Sequence, residues 1–171
     1  MKNLFLIGGA MGIGKTTVSR ILKKTLPNAV FLDGDWCWDA DPFQVTAETK
    51  AMVLNNITAL LSNFLACSVY ENVIFCWVMH QQSIMDSILV RLDTSHCRVF
   101  PISLTGSPQV LAERIARDVE AGLRTPDVLE RSLQRLPMYD NMTTIHIDTT
   151  GKTPEAIAAQ IAALAGKEKM P

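Results

Sequence analysis

The sequence has no apolar run approaching the roughly 20 residues that a membrane-spanning helix needs. Net charge is nearly absent: 16 Lys and Arg stand against 17 Asp and Glu. Nothing therefore draws the chain generally to nucleic acid or to a membrane surface. Cysteines are few, and Cys37, Cys67, Cys76 and Cys97 form no C-x-x-C pair and no metal-ligand spacing. Three of them lie in apolar stretches, where cysteine behaves as a small hydrophobe. Met1-Lys-Asn passes directly into an expected strand, so no signal peptide is expected. Reduced thiols and a cytoplasmic location are expected. With 171 residues, no internal repeat and no dividing linker, residues 1–171 are expected to form one domain.

What the sequence does have is a glycine-rich turn after the apolar run Leu4-Phe-Leu-Ile7. Gly9-Ala10-Met11-Gly12-Ile13-Gly14-Lys15-Thr16 satisfies the phosphate-loop pattern G-x-x-x-x-G-K-[ST], and Thr17 continues into a helix. Small residues allow successive backbone N–H groups to converge on a phosphate chain, and the helix N-terminus adds partial positive charge. Lys15 is placed to reach the β- and γ-phosphates, and the Thr16 hydroxyl to ligate Mg²⁺. A strand before the turn and a helix after it supply the context that the pattern requires. A nucleoside triphosphate is the expected ligand.

Strands are expected near Asn3–Gly8, Ala29–Asp33, Val73–Val78, Arg98–Leu104 and Thr144–Asp148. Helices are expected over Lys15–Thr25, a long segment capped by Thr46, Ser83–Leu92, and a piece opened by Ser107-Pro108. A further helix follows the cap signature Thr125-Pro126-Asp127, and a last one follows Thr153-Pro154; the tail from Gly166 is expected to fray. In the long helix Met52, Ile57, Leu60, Leu61, Phe64 and Leu65 recur at helical spacing. Pro101 is awkward for a central strand and marks a bulge or an edge-like spot. Alternation of strand and helix predicts an α/β three-layer sandwich with a mainly parallel sheet. Ligands of such sheets bind beyond the carboxyl ends of the strands.

Beyond the phosphate loop, that rule singles out the segment after Asp33, the turn after Val78, and the loops after Leu104 and Asp148. Asp33-Gly34-Asp35 offers two carboxylates, one for the metal side and one to accept a proton from an attacking hydroxyl. Asp35 is preferred as the acceptor-activating residue and Asp33 as the metal-side partner, although the sequence also fits the reverse. Trp36, Trp38 and Phe43 either line an acceptor pocket or plug the core beneath the next helix. His80 either meets substrate or caps a helix. Strand three, Phe75-Cys76-Trp77-Val78, lacks the acid of a Walker B segment, so a metal-side carboxylate has to come from Asp33 or Asp35. Arg114, Arg117, Arg124, Arg131 and Arg135 surround Gly122, either as a mobile lid that clamps phosphate or as a solvated face paired with acids.

Taken together, Gly9–Thr16, Leu32-Asp-Gly-Asp35, Glu113-Arg114-Ile-Ala-Arg117 and Ile147-Asp-Thr-Thr-Gly151 resemble the nucleotide-kinase-like branch of the phosphate-loop proteins. That branch includes adenylate, shikimate, gluconate and adenylylsulfate kinases and chloramphenicol phosphotransferase. The resemblance implies a phosphate-loop NTP hydrolase fold with a five-stranded parallel sheet in the order 2-3-1-4-5, ATP·Mg²⁺ as donor, and a short lid around 114–131. It places Arg114 against adenine, Arg117 on phosphates, Asp35 at the acceptor hydroxyl, and Thr149-Thr-Gly-Lys152 near the adenine. The lid is short and has no cysteine set for zinc. The acceptor segment Trp36–Phe43 carries no arginine for a nucleotide's phosphate. The expectation is therefore an ATP-dependent kinase acting on a small-molecule hydroxyl, monomeric or homodimeric, with its acceptor near Asp35, Trp36, Trp38 and His80. A nucleoside monophosphate kinase and a non-catalytic nucleotide-binding regulator are the alternatives.

Overall fold

A computed structural model describes residues 1–166. Five strands form one parallel sheet: β1 (Lys2–Gly9), β2 (Ala29–Asp33), β3 (Asn72–Cys76), β4 (Cys97–Thr105) and β5 (Ile145–Asp148). Their order is β2-β3-β1-β4-β5, as the resemblance implied, with helices on both faces, as the alternation of elements predicted. The helices are α1 (Lys15–Thr25), α2 (Ala47–Ala66), α3 (Gln82–Leu89), α4 (Pro108–Glu120), α5 (Val128–Arg135) and α6 (Pro154–Gly166). The expected fraying of the tail falls on residues 167–171, outside the described residues.

The order explains where the site must lie. From β1 the chain moves two places to reach β2, then returns to β3 and afterwards crosses to β4. Right-handed crossovers put α1 on one face and α2 and α3 on the other. The order in which strands are added reverses beside β1, so a crevice opens beyond its carboxyl end. β1 and β3 are covered on both faces: Leu4 to Ile7 and Val73 to Cys76 are wholly buried, as continuous apolar strands should be. α6 packs against α1, and α5 against α4.

Two local expectations need correction. In α2 the buried stripe is Val53, Ile57, Thr58 and Leu61, while Met52 and Leu60 are exposed; one residue of slip along a helix turns the face by about 100°. Thr125 does not cap α5, because its hydroxyl donates to the Asp127 carboxylate and the helix starts at Val128. Ser107 and Thr46 do cap their helices, and Thr46 forms a reciprocal box with Thr49. Pro101 keeps its register with Leu6 of β1, and β5 begins to pair only at Ile102. On that flank β4 is locally an edge, which is where a residue without an N–H is tolerated.

Candidate active site

The phosphate loop leaves β1 at Gly9 and delivers the chain to α1 at Lys15. Gly14, the residue before the helix, has φ 109, in the left-handed region that L side chains rarely adopt. A Cβ there would meet nothing within 4 Å, so the loop encloses open space at the helix N-terminus. The Lys15 ammonium donates to the Ala10 carbonyl at 2.9 Å, across the mouth of that space. Burial pulls its pKa down to about 8, against the raising pull of Cys76, Asp35 and Asp33. A cavity of 390 Å³ adjoins the loop, walled by Gly12, Lys15, Thr16, Arg114, Arg117 and Arg124 among others.

Asp33 ends β2 almost wholly buried, and both its oxygens are used. Oδ2 accepts the Thr16 hydroxyl at 2.7 Å, and Oδ1 accepts the Asp35 backbone N–H at 3.2 Å, capping a short 3-10 turn over Gly34–Cys37. Across the sheet Asp33 stands in register with Cys76 of β3. The acid missing from strand three is thus supplied at the same level, one strand over. Cys76 itself is inert: burial and the neighbouring Asp33 charge push its thiol up to about 12. Among the described residues no group of three or more His, Cys, Asp and Glu could hold a metal. Two hard oxygens, from Thr16 and Asp33, nevertheless suit Mg²⁺, which keeps several waters and takes further ligands from phosphates.

Asp35 lies on the open side of the same turn. Burial of its carboxyl and the nearby Asp33 charge raise its pKa, opposed by Lys15, by a hydrogen bond from the Trp77 side chain and by Arg124. Its residue surface is exposed, so the crowding concerns one side of the carboxylate. Trp77 also fixes the glycine between the acids: a Cβ on Gly34 would lie 2.5 Å from Trp77 Cγ.

The remaining candidates separate. Arg114 of α4 donates to the Ile13 carbonyl (3.0 Å), Thr149 Oγ1 (3.0 Å) and Thr149 O (3.2 Å), clipping the phosphate loop to the segment after β5. These bonds lie in the guanidinium plane and leave its flat face to stack. Arg117 is exposed at the cavity wall. Arg124 lies there too, paired with Asp118 at 2.8 Å, and Arg131 pairs with Asp127 at 2.5 Å. Trp36 packs edge-on against Phe31, and Trp38 against Phe43 with centroids 4.7 Å apart. Trp36 and Trp38 line a separate cavity of 530 Å³ with Asp39, Gln44, Met52 and Asn56; Asp35 and His80 are not on its walls. His80 is half-buried in the turn after β3. A further cavity of 340 Å³, between Met1, Lys2 and Cys97, lies at the amino ends of the strands, away from this chemistry.

Sequence reasoning gave Trp77 no part in the site and Arg124 no particular one. A signal for Trp77 was present, since it follows the residue that pairs with Asp33 and so lies level with Gly34. Arg124 follows Gly122, whose φ of 69 turns the chain back toward the loop.

A parallel sheet in the order 2-3-1-4-5 with a phosphate loop beyond its central strand is the fold of the phosphate-loop kinases. The family model described as "AAA domain" matches residues 6–131, and the chain belongs to that family. Among solved structures it is similar to the tunicamycin resistance protein of Deinococcus radiodurans: 21% identity, 97% of this chain and 96% of that one covered, TM-score 0.74. A gluconokinase from Sinorhizobium meliloti 1021 shows 19% identity over 98% of both chains, with TM-score 0.65. Shikimate kinase from Acinetobacter baumannii, in complex with shikimate, shows 20% identity over 100% of this chain and 96% of that one, with TM-score 0.64. At these identities the likeness establishes the fold. No curated protein matched the sequence. No helix among the described residues is long and apolar enough to cross a membrane.

Proposed function

We propose that the protein is a cytoplasmic, single-domain kinase that transfers the γ-phosphoryl group of ATP to the hydroxyl of a small molecule. The observation that carries this reading is the convergence of Lys15, the Thr16–Asp33 pair and Asp35 beyond the carboxyl ends of β1 and β2. The amides of Gly9 to Thr17 and the Lys15 ammonium bind the phosphate chain, while Arg114 positions the loop against the base. Thr16 and Asp33 hold Mg²⁺, directly or through water; the ion, when bound, neutralises developing phosphate charge. Asp35 orients the acceptor hydroxyl and takes its proton as the oxygen attacks the γ-phosphorus and the bond to the ADP oxygen breaks. Arg117 and Arg124, on a lid around residues 114–131, offset charge on the transferring group and exclude water.

Two observations favour this division of labour. Each oxygen of Asp33 already accepts a hydrogen bond, from Thr16 or from the Asp35 amide, whereas the raised pKa of Asp35 suits a group that must gain a proton. The test is ADP release with Mg·ATP across two acceptor panels, nucleoside monophosphates and hydroxyl compounds without a nucleobase. Stimulation by a hydroxyl compound, abolished in Lys15→Ala, supports the reading. Stimulation by one monophosphate alone makes the protein a nucleotide kinase. Silence in both panels with ATP still bound makes it a nucleotide-binding regulator.

A further inference from the structure

Two cavities of this molecule are opposite in charge. The 390 Å³ cavity at the phosphate loop has four cationic side chains on its walls, Lys15, Arg114, Arg117 and Arg124, against one acid, Asp118. The 530 Å³ cavity after β2 has no Lys, Arg or His on its walls, and its one charged side chain is Asp39. The surrounding sequence is as one-sided: from Thr25 to Met79 a single base, Lys50, stands against six acids. A cleft walled by one sign of charge concentrates ligands of the other.

Two indoles form the apolar walls, and each is braced by a neighbouring ring. Trp36 packs edge-on against Phe31 with centroids 5.2 Å apart, and Trp38 tilts against Phe43. Trp36 nevertheless leaves 55% of its surface open and Met52 leaves 42%, too much for side chains whose task is to fill the core. The hydrogen-bonding groups are acceptors in surplus. Asn56 Nδ2 donates to the Cys37 carbonyl at 3.1 Å, which fixes the amide and leaves Oδ1 without a donor. The Thr49 hydroxyl proton is directed to the Gln44 backbone carbonyl at 2.9 Å. Among the described residues no hydrogen bond or ion pair engages the Asp39 carboxylate. Flat π-faces, a free carboxylate and unclaimed acceptor oxygens are together complementary to an ammonium group on an apolar body. The volume suits a small organic molecule.

We propose that this cavity is a binding site for an organic cation: an ammonium on an apolar body, its charge held against Trp36, Trp38 and Asp39. The same walls turn away carboxylates and phosphates. The site does not depend on the kinase reading, since none of Lys15, Thr16, Asp33 and Asp35 lies on its walls. One further step rests on that reading: Trp36 follows Asp35 in one short turn, so the occupant adjoins the acceptor carboxylate and the acceptor is an amino alcohol.

The test uses alcohols of nearly the same shape that differ in charge: phenylethanolamine, the neutral ethyl phenyl carbinol and the anion β-hydroxy-β-phenylpropanoate. Binding is read by NMR from the indole N–H signals of Trp36 and Trp38, and ADP release with Mg·ATP is measured beside it. Phenylethanolamine is expected to bind at least about tenfold more tightly than the carbinol, and the anion more weakly than either. Asp39→Asn, an isosteric change at an exposed residue, is expected to lower the cation's affinity about three- to fivefold and leave the carbinol's unchanged. Trp38→Leu is expected to remove most of the preference for charge, read from Trp36. The proposal is overturned if neither indole responds to phenylethanolamine, if the carbinol or the anion binds as tightly, or if the full preference for the cation survives in both variants. Cation-selective binding without ADP release leaves the cation site standing and removes its part in phosphoryl transfer. ADP release driven by the carbinol with both indoles silent removes the cation site and leaves the kinase reading standing.

Discussion

Replacing Arg114 by methionine preserves most of the aliphatic stem and deletes three hydrogen bonds at once. Two of them end on Thr149, which is wholly buried, and one on the carbonyl of Ile13 within the phosphate loop. Hydrogen bonds involving a charged group contribute about 1.5–3 kcal/mol each in favourable cases. Arg114 is only half-buried and one guanidinium makes all three, so the contributions do not add in full. A loss of about 3 kcal/mol is expected. In a domain of this size each kcal/mol moves Tm by about 2–4 °C, so the ligand-free variant should melt roughly 6–12 °C lower. ATP affinity should fall in parallel, because the loop and the segment after β5 lose their mutual placement. Calorimetric melting with and without ATP, beside an Arg114→Lys control that can restore at most part of the network, reads both effects. A Tm within about 2 °C of wild type together with unchanged ATP affinity would refute the clamp, showing that water replaces it.

Lys15→Ala should abolish turnover and leave the circular dichroism spectrum intact. In the ligand-free protein Lys15 titrates near 8, against an ordinary 10.5. Between those values the unfolded chain binds more protons, so this residue makes stability rise as pH climbs from about 8 to 10.5. Urea titrations should show that slope in wild type and lose it in Lys15→Met; a slope equal in both would reject the desolvated ammonium. Asp35 must be ionised to accept a proton, and its pKa is raised. Turnover should therefore fail on the acid side at a pH above the usual aspartate range, and Asp35→Asn should lose turnover far more than ATP affinity. An acid limb at the ordinary value of 3.8, or selective loss of ATP binding, would exchange the roles of the two acids. Gly34→Ala drives a Cβ to 2.5 Å from Trp77 Cγ, so the ring must move from Asp35. We expect destabilisation of about 1–3 kcal/mol with a larger effect on acceptor turnover than on ATP binding; a variant with wild-type acceptor kinetics would remove Trp77 from the site.

Much of this architecture is legible in the sequence because its signals are local. The phosphate loop is fixed by glycine spacing, and α1 begins and ends as its pattern predicts. β2 ends at Asp33, where an apolar run meets a glycine. The face of α2 was less legible, since an apolar helix offers more than one stripe and only the sheet decides which is buried. The cap of α5 was masked by an Asp–Arg pair four residues apart, which takes the Asp127 carboxylate away from the backbone. Trp77 was hidden for another reason: it owes its position to the register of β2 with β3, two segments distant in the sequence.

The transfer of the buried acid from β3 to the end of β2 ties together things that other layouts keep apart. Asp33, which braces Thr16, and Asp35, to which the proposed function gives the acceptor, belong to one short turn and share a hydrogen bond. Any displacement of that turn disturbs donor and acceptor geometry together, like two gears on one shaft. Variation that retunes acceptor choice is then channelled away from residues 33–35. It falls on surfaces that can change without touching Thr16, such as the exposed rings of Trp36 and Phe43.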